Sequence, residues 1–317
     1  MACYVVTGGA GFIGSRLVER LVSDAHEVRV VDDLSTGHKH NLDGVIEGVE
    51  FQQGSVCDAA LMREVCDGAE VVFHQAALAS VQRSVENPLA TNRVNVEGTL
   101  QVLQCARQCG VRRVVNASSS SIYGDSPTLP KEESMPLAPK SPYATSKTAA
   151  ELYVGNYAEL FEMETVSLRY FNVFGPHQDP QSQYAAVIPI FITALLSGES
   201  PTVFGDGEQS RDFTYVENVV QANLLAADAE GASGGVFNVG CGDRYRLNEL
   251  LDALREIIGT DVPAIYADPR PGDVRHSKAH IGRAREVLGY EPTVGFSEGL
   301  ERTVEWYRDR LEEPSGN

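Results

Sequence analysis

A tyrosine and a lysine stand four residues apart in the segment SPYATSK at 141–147, which runs into an alanine-rich stretch. On a helix this spacing places the side chains of Tyr143 and Lys147 on one face. A free tyrosine has a pKa near ~10 and is a poor base at neutral pH, but a nearby positive charge favours the phenolate. The pair is therefore a candidate for proton transfer, although this spacing also occurs on ordinary surface helices.

A hydroxyl donor upstream makes the pair more specific. The serine run SSSS at 118–121 follows directly after an apolar, strand-like run at 114–115. Since polar side chains at the end of a buried strand lie at the mouth of a sheet, we expect these serines to face a ligand. A serine at that place can donate a hydrogen bond to an oxygen whose proton Tyr143 removes.

A glycine-rich turn, TGGAGFIG at 7–14, joins the first apolar run to the first helical pattern. Glycines spaced in this way allow a tight turn, a close approach of a pyrophosphate and the packing of a helix on a strand. The helix N-terminus then offers unpaired N–H groups to phosphate. Asp32 ends the second apolar run, where a carboxylate can accept from both ribose hydroxyls and would repel a 2′-phosphate. The sequence predicts an NAD site rather than an NADP site.

The elements that position these residues alternate along the first half of the chain. Strand-like runs lie at 3–6, 28–31, 49–52, 71–73, 114–115 and 165–168, and helical patterns lie at 12–22, 58–66, 89–109 and 142–161. This alternation predicts an α/β fold with a Rossmann-type doubly wound parallel sheet.

The second half is less regular and is predicted to form a smaller α/β substrate-binding lobe over the C-terminal ends of the strands. Helical patterns lie at 184–197, 216–230, 247–258, 280–288 and 297–311. We assign 1–175 to the NAD-binding domain, with 212–240 returning to it, and 176–211 and 241–317 to the lobe.

Composition excludes several classes of function. The 317 residues carry a net charge of −18, which argues against a nucleic-acid partner. No apolar run is long enough to cross a membrane, and no basic stretch followed by an apolar one opens the chain, so we expect a cytoplasmic protein. Six cysteines without a repeating spacing predict reduced thiols and no metal site.

Taken together, the motifs resemble those of the extended short-chain dehydrogenase/reductases. Within them they resemble UDP-hexose 4-epimerases, most of all the bacterial UDP-N-acetylglucosamine 4-epimerases, and the match runs in order over nearly the whole chain. It rests on TGGAGFIG, SSSSIYG, SPYATSK, RYFNVFG (169–175), GDGEQSRDF (205–213) and RPGD (270–273).

The resemblance implies catalytic roles. Tyr143 would take the proton of the sugar 4-hydroxyl, Lys147 would hold the nicotinamide ribose, and Ser119 would bond the reacting oxygen, with Ser118 and Ser120 as neighbouring alternatives. A hydride would leave C4 and return to its other face, so that NAD is recycled. The implied cofactor-binding set is Gly8, Gly11, Phe12, Ile13, Gly14, Asp32, Asp33, Ser35, Thr36, Gly37, Ser55, Val56, Gln75, Ala76, Ala77, Asn95, Tyr143, Lys147 and Phe171.

The resemblance also implies a substrate site in the second half of the chain. Arg211 and Arg270 would clamp the diphosphate, because guanidinium binds phosphate oxygens bidentately. Ser277 would stand beside the sugar 2-position, where a small residue leaves room for an N-acetyl group; alternatively, it caps the helix at 280–288. The substrate-binding set is Ser119, Tyr143, Asn172, Val187, Phe204, Arg211, Arg270, Asp273 and Ser277.

These residues favour interconversion of UDP-GlcNAc and UDP-GalNAc, with UDP-Glc and UDP-Gal as further substrates. The open alternatives are a UDP-glucose 4-epimerase, another NAD-dependent epimerase or dehydratase, and a non-enzymatic NAD-binding regulator. Sugar dehydratases carry an acid pair where this chain has Ser120 and Ser121, which counts against them. The resemblance further implies a homodimer that pairs the helices at 91–109 and 143–161. Ser55 and Ala79 depart from the usual residues near the cofactor.

Overall fold

The structure, a computed structural model, describes residues 2–180, 186–269 and 274–312. Its strands are β1 (Cys3–Thr7), β2 (Glu27–Asp32), β3 (Val49–Gln53), β4 (Val71–His74), β5 (Arg113–Ser119), β6 (Glu164–Tyr170), β7 (Val173–Phe174), β8 (Thr202–Phe204), β9 (Ser210–Arg211), β10 (Thr214–Tyr215), β11 (Gly235–Val239), β12 (Tyr245–Arg246) and β13 (Ile265–Ala267). Its α-helices are α1 (Phe12–Ser23), α2 (Ala59–Cys66), α3 (Val81–Glu86), α4 (Pro88–Asn92), α5 (Gly98–Gln108), α6 (Pro142–Phe161), α7 (Val187–Leu196), α8 (Val216–Asp228), α9 (Leu247–Ile258) and α10 (Phe296–Glu312).

Seven strands form one parallel sheet in the order β11-β6-β5-β4-β1-β2-β3. From β3 to β6 this is the order of doubly wound dinucleotide-binding folds, in which ligands bind where the strand order reverses, here between β1 and β4. The predicted Rossmann-type fold is therefore confirmed. The seventh strand, β11, was missing from the predicted strands, and it extends the sheet by pairing with β6.

Both faces of the sheet are buried, which is why its strands read as nearly continuous apolar runs. Successive residues of β1 point to opposite faces. Val5 packs in a core with α2 and α5, whereas Val6 packs in a second core with α1 and α8. The sheet thus holds its C-terminal strand ends in fixed positions along one edge.

A third apolar core lies in the second half of the chain and joins α7, α9 and α10. Short strand pairs accompany it: β8 with β13, β9 with β12 and β7 with β10. Two elements of the second half belong to the first half's layers: β11 pairs with β6 in the main sheet, and α8 packs on that sheet in its core. The assignment of whole segments to two domains stays a prediction.

Two predicted helices differ from those observed. The helix predicted at 89–109 contains a π-helical turn over Arg93–Glu97 between α4 and α5. The helix predicted at 280–288 ends in a π-helical turn over Ala284–Leu288. Both are single π-helical turns, which are too short for the apolar periodicity of the sequence to mark them.

Candidate active site

The helix α6 carries both predicted proton-transfer residues. Ser141 is its N-cap, whose side chain accepts a hydrogen bond from the N–H of Ala144, and Pro142 is its first residue. Tyr143 and Lys147 follow one turn apart and both line the same cavity. The predicted helical spacing therefore brings the two side chains to one face.

Contacts with β5 hold this face in place. Lys147 Nζ donates to the carbonyl oxygen of Ala117 at 2.9 Å. The Tyr143 side chain shares a hydrogen bond with Ser119. Ser119 Oγ also accepts from the hydroxyl of Ser121 at 2.9 Å and from its N–H at 3.2 Å. Because Ser119 is already the acceptor in two bonds, it can bond to Tyr143 only by donating its own proton.

Burial decides the electrostatics of the pair. Tyr143 is half-buried against the cavity, and burial raises its pKa, while the hydrogen bond with Ser119 acts to lower it. Burial lowers the pKa of Lys147 to about 8. Desolvation is the largest influence on the Tyr143 phenol, and the Lys147 ammonium is directed to the Ala117 carbonyl. That Lys147 and a charged nicotinamide together lower the pKa of Tyr143 stays a prediction.

The glycine turn between β1 and α1 fits a bound diphosphate. The N-terminus of α1 has no side-chain cap at Gly11, so its first N–H groups are left for a ligand. A Cβ on Gly14 would lie 2.1 Å from the carbonyl oxygen of Gly8, and one on Gly8 would lie 2.7 Å from Ala76. The φ of Gly8 is +69°. Only glycine allows this close packing. Because no side chain covers the turn, a pyrophosphate can approach its backbone closely.

Asp32 ends β2 at the edge of the same cavity. Its Oδ2 accepts from the N–H of Ala10 at 3.0 Å and its Oδ1 from the N–H of Leu34 at 2.8 Å. Burial raises the pKa of Asp32, and these two backbone bonds act against that rise. Each oxygen keeps a second acceptor position, so the carboxylate can still accept from a ribose hydroxyl.

A cavity of about 490 Å³ connects these features. This volume lies within the range of about 300–1,000 Å³ that is usual for cofactor sites. Of the predicted residues it is lined by Gly8, Gly11, Phe12, Ile13, Gly14, Asp32, Asp33, Ser35, Thr36, Val56, Gln75, Ala76, Ala77, Tyr143 and Lys147.

Four predicted cofactor residues are not among the described cavity-lining residues. The side chain of Phe171 is fully buried in the core beneath the sheet, which removes it from the cavity. Gly37 lies behind Asp32, since a Cβ there would meet both carboxylate oxygens at 2.9 Å. Contact of either residue with the cofactor stays a prediction.

Ser55 and Asn95 are the other two. The hydroxyl of Ser55 accepts from the N–H of Cys57 at 3.2 Å and so closes a turn. Asn95 is buried, where it accepts from the N–H of Leu78 at 2.8 Å and donates to the hydroxyl of Ser146 at 3.0 Å. Asn95 thus ties a cavity-lining residue to α6 instead of lining the cavity.

The cavity also has lining residues outside the predicted cofactor set. Gln178, Asp179 and Ala186 come from the segment after β7, and Asp179 approaches His38 at 3.5 Å. No motif marks them, because they reach the cofactor side only through the folding of the second half of the chain. The full additional set is Val31, His38, Gly54, Leu78, Ala79, Arg83, Val94, Ala117, Ser118, Tyr170, Gln178, Asp179 and Ala186.

Three predicted substrate residues lie together around β9. Asn172 Nδ2 donates to the carbonyl oxygen of Asp212 at 3.0 Å. The carbonyl of Ser210 accepts from Arg211 Nη1 and from the N–H of Ser277, each at 3.0 Å. Ser277 lies in an extended segment before the helical residues begin, so the alternative that it caps this helix is wrong.

The remaining predicted substrate residues lie at element ends. Val187 is the first residue of α7, directly after the cavity-lining Ala186. Phe204 ends β8, where it is paired with Ala267 of β13. Arg270 and Asp273 lie outside the described residues.

Asp212 anchors this region, and sequence reasoning did not single it out. Its carboxylate is fully buried and accepts from the N–H groups of Ala279 at 2.9 Å, Cys241 at 2.9 Å and Gly242 at 3.0 Å. Burial raises the pKa of Asp212 to about 6. One side chain thus holds the segment that presents Ser277 against the loop after β11.

Two negative findings apply to the described ranges. Within 2–180, 186–269 and 274–312, no helix is long and apolar enough to cross a bilayer. The same residues contain no group of three or more His, Cys, Asp or Glu side chains arranged to hold a metal ion.

The sequence of this chain is similar to those of known nucleotide-sugar enzymes. The sequence model of the NAD dependent epimerase/dehydratase family matches residues 4–240. A UDP-glucose 4-epimerase of Mycolicibacterium smegmatis is 42% identical over 310 residues, which cover 96% of this chain and 98% of that protein.

Two solved structures share the fold over nearly the full length. The UDP-glucose 4-epimerase of Thermotoga maritima, solved with UDP-glucose, superposes with a TM-score of 0.94 at 40% identity and covers 98% of this chain and 100% of its own. The UDP-N-acetylglucosamine 4-epimerase of Methanobrevibacter ruminantium M1, solved with UDP-N-acetylmuramic acid, gives the same TM-score and identity over 98% of this chain and 99% of its own. The chain therefore belongs to the NAD-dependent epimerase/dehydratase family and, within it, to the UDP-hexose 4-epimerases.

Proposed function

We propose that this UDP-sugar 4-epimerase interconverts UDP-GlcNAc and UDP-GalNAc and also turns over UDP-Glc and UDP-Gal. The observation that carries the reaction type is the pair Tyr143 and Lys147, one helical turn apart in the wall of a dinucleotide-sized cavity, with Ser119 hydrogen-bonded to Tyr143. The preference for acetylated sugars is supported by the small side chain of Ser277 in the segment next to Arg211.

NAD, when bound, supplies an acceptor that takes the hydride from C4 of the sugar and returns it. Tyr143 accepts the proton of the 4-hydroxyl as the hydride leaves, and Ser119 donates a hydrogen bond to the same oxygen. The 4-keto sugar then presents its other face, and Tyr143 returns the proton as the hydride comes back. Lys147 holds the nicotinamide ribose, and its positive charge opposes the rise that burial causes in the pKa of Tyr143.

The choice of Ser119 within the serine run is supported by where each hydroxyl is used. Ser118 Oγ donates to Glu151 Oε2 at 2.6 Å, so its proton is committed away from the cavity. Ser119 accepts two bonds from Ser121 and donates its proton to Tyr143, so its proton can turn to a substrate oxygen that binds beside the phenol. Ser120 and Ser121 lack the carboxyl groups that elimination of water from the sugar needs, which argues against a dehydratase.

The residues that would hold NAD are those of the cavity. The bare N-terminus of α1 at Gly11 faces the pyrophosphate, and Asp32 takes the adenosine ribose and disfavours a 2′-phosphate. In the substrate site, Arg211 and Arg270 are assigned to the diphosphate and Asp273 to the uridine ribose. Asn172 is assigned to the diphosphate or sugar, with Val187 and Phe204 beside the uracil.

We also propose a cytoplasmic homodimer. Large apolar side chains are exposed along α6 and its neighbour α4, where a second copy would cover them. They are Leu89, Leu152, Tyr153, Leu160 and Phe161.

Proton NMR of the purified protein with UDP-GlcNAc, UDP-Glc and UDP-glucuronate, each incubated separately, tests the proposal. We expect the 4-epimer to form from UDP-GlcNAc and UDP-Glc, and Tyr143→Phe to lower the rate by about 10²–10⁴-fold because it removes the proton-transfer group. Turnover of UDP-Glc alone would keep the mechanism and refute the role of Ser277. Turnover of UDP-glucuronate alone would refute the proposed substrate class.

A further inference from the structure

A third contact joins α6 to β5 between the two that the proposed mechanism uses. The consecutive residues 117–119 at the end of β5 each contact α6: Lys147 donates to the backbone carbonyl of the first, and the third is hydrogen-bonded to Tyr143. The middle residue, Ser118, donates to Glu151 Oε2 at 2.6 Å. Glu151 lies one helical turn beyond Lys147, on the same face of α6.

Glu151 is itself held from the neighbouring strand. Arg169 lies directly opposite Ser118 in the β5–β6 register. Its Nη2 donates to Glu151 Oε1 at 2.6 Å and its Nε to Glu151 Oε2 at 3.0 Å. Both side chains are 4% exposed. A bidentate guanidinium–carboxylate pair of this kind fixes orientation as well as distance.

The far side of Arg169 is anchored too. Its Nη1 donates to the hydroxyl of Tyr123 at 2.7 Å, and that hydroxyl donates to Asn238 Oδ1 of β11 at 2.7 Å. Nη1 also donates to the carbonyl of Glu133 at 3.2 Å. The network thus reaches from the cavity wall to the seventh strand of the sheet. Because each buried donor is matched to an acceptor, the network is rigid.

We propose that Glu151 is a positioning residue for the proposed epimerisation: through Ser118 it fixes the end of β5 against α6 and so sets the hydrogen bond between Ser119 and Tyr143. Glu151 and Arg169 are not among the described residues that line the cavity, so they act through Ser118 and not on the substrate. This inference rests on the proposed function for its kinetic consequences, but its structural claim concerns the chain alone.

Ser118→Ala is the decisive variant, because it cuts the link and leaves the Glu151–Arg169 pair intact. We expect kcat to fall roughly tenfold with KM and bound NAD unchanged, since a misplacement of reacting groups by about 1 Å can cost about 10²-fold and the displacement here is smaller. The acidic limb of the pH profile should move to higher pH, because the Ser119 bond acts to lower the pKa of Tyr143. The titratable groups that face the same cavity, which these variants leave in place, are Asp32, Asp33, His38, Arg83, Lys147, Tyr170 and Asp179.

Thr165→Val is the matched control. Thr165 is fully buried in β6, and its hydroxyl donates to the carbonyl of Val154 in α6 at 2.9 Å, far along the helix from Tyr143. The substitution Thr165→Val therefore removes a similar hydrogen bond between a strand and α6, and it leaves the end of β5 unchanged. We expect its kcat, KM and pH profile to match those of the unaltered protein.

A second readout separates this inference from the proposed function. Tyrosinate absorbance of the NAD-bound protein, minus that of the same protein with Tyr143→Phe, follows the titration of Tyr143 without any sugar. A shift to higher pH in Ser118→Ala, with none in Thr165→Val, supports the inference even if no UDP-sugar is epimerised. An unshifted titration in Ser118→Ala, together with kinetics like those of the control, would overturn it. Glu151→Gln should shift the Tyr143 titration as much as Ser118→Ala does. Glu151→Asp, which keeps the charge, should shift it less.

Discussion

The Nε2 atom of His74 lies 2.9 Å from the hydroxyl oxygen of Thr99, in the core beneath the cavity floor. Thr99 donates its own proton to the carbonyl of Asn95 at 2.7 Å, so it must accept from His74 Nε2–H. The other ring nitrogen, Nδ1, then accepts from the hydroxyl of Thr7 at 2.7 Å. The hydrogen bonds therefore assign His74 as a neutral imidazole with its proton on Nε2.

This relationship predicts how stability depends on pH. Burial, with a smaller contribution from the charge of Lys147, lowers the pKa of His74 to about 3. Between that value and about 6.5, the unfolded chain binds a proton that the folded protein does not, so stability is lost as the pH falls through this window. His74→Asn should flatten this slope in urea unfolding, at a cost of about 1–3 kcal/mol near neutral pH for the unmatched polar groups. The exposed His280→Asn is the control, and an unchanged slope in His74→Asn would contradict the assignment.

Lys147→Met tests the tie between α6 and β5. Methionine keeps the length of the side chain but cannot donate to the Ala117 carbonyl or carry a charge. We expect epimerisation to fall by about 10²-fold or more and bound NAD to decrease, because both the ribose contact and the charge beside Tyr143 are lost. NAD released on denaturation and the NMR rate measure the two effects separately. Full NAD content with an unchanged rate would refute the assigned role.

The glycine turn predicts a sharp contrast between two substitutions by alanine. In Gly14→Ala the new Cβ would lie 2.1 Å from the Gly8 carbonyl, so the turn must move and NAD binding should weaken. Gly155→Ala, in the middle of α6, meets nothing within 4 Å and should stabilise the protein by about 0.5–1 kcal/mol. Thermal unfolding with and without added NAD distinguishes them. An equal response of both variants to NAD would argue against the turn as the pyrophosphate site.

Ser277→Tyr tests substrate choice. A tyrosine in the segment held by Ser210 and Asp212 would fill the space proposed for the N-acetyl group. We expect UDP-GlcNAc turnover to fall by about 10²-fold or more while UDP-Glc turnover is retained, because a steric clash is harder to relieve than a missing contact. Competition between the two substrates, followed by NMR, gives the ratio directly. Retained UDP-GlcNAc turnover would place the acetyl group elsewhere.

The local parts of the site were predictable from the sequence. The segment 141–147 contains the serine N-cap and the proline that start α6. Tyr143 and Lys147 follow one turn apart, so helix geometry places them on the same face. The glycine turn and Asp32 are equally local, because each depends on a strand end and the residues next to it. The parallel sheet followed from the alternation of apolar runs and helical patterns, since both of its faces are buried.

Only the tertiary structure decided which neighbours these residues have. The serine run offers equivalent hydroxyls in sequence, and Glu151 and Ser121 set the directions of those of Ser118 and Ser119. Asp179 lines the cavity, and Asp212 accepts hydrogen bonds from backbone N–H groups of two segments that are distant in the sequence. No sequence motif predicts either contact. The burial of Phe171 in the core was also decided by packing, because the sequence does not say on which side of a strand end a side chain is buried. The sequence by itself thus determined the fold class and the proton-transfer pair, which depend on short-range periodicity. The structure alone determined the hydrogen-bond directions and the far wall of the cavity, which depend on packing between residues remote in the chain.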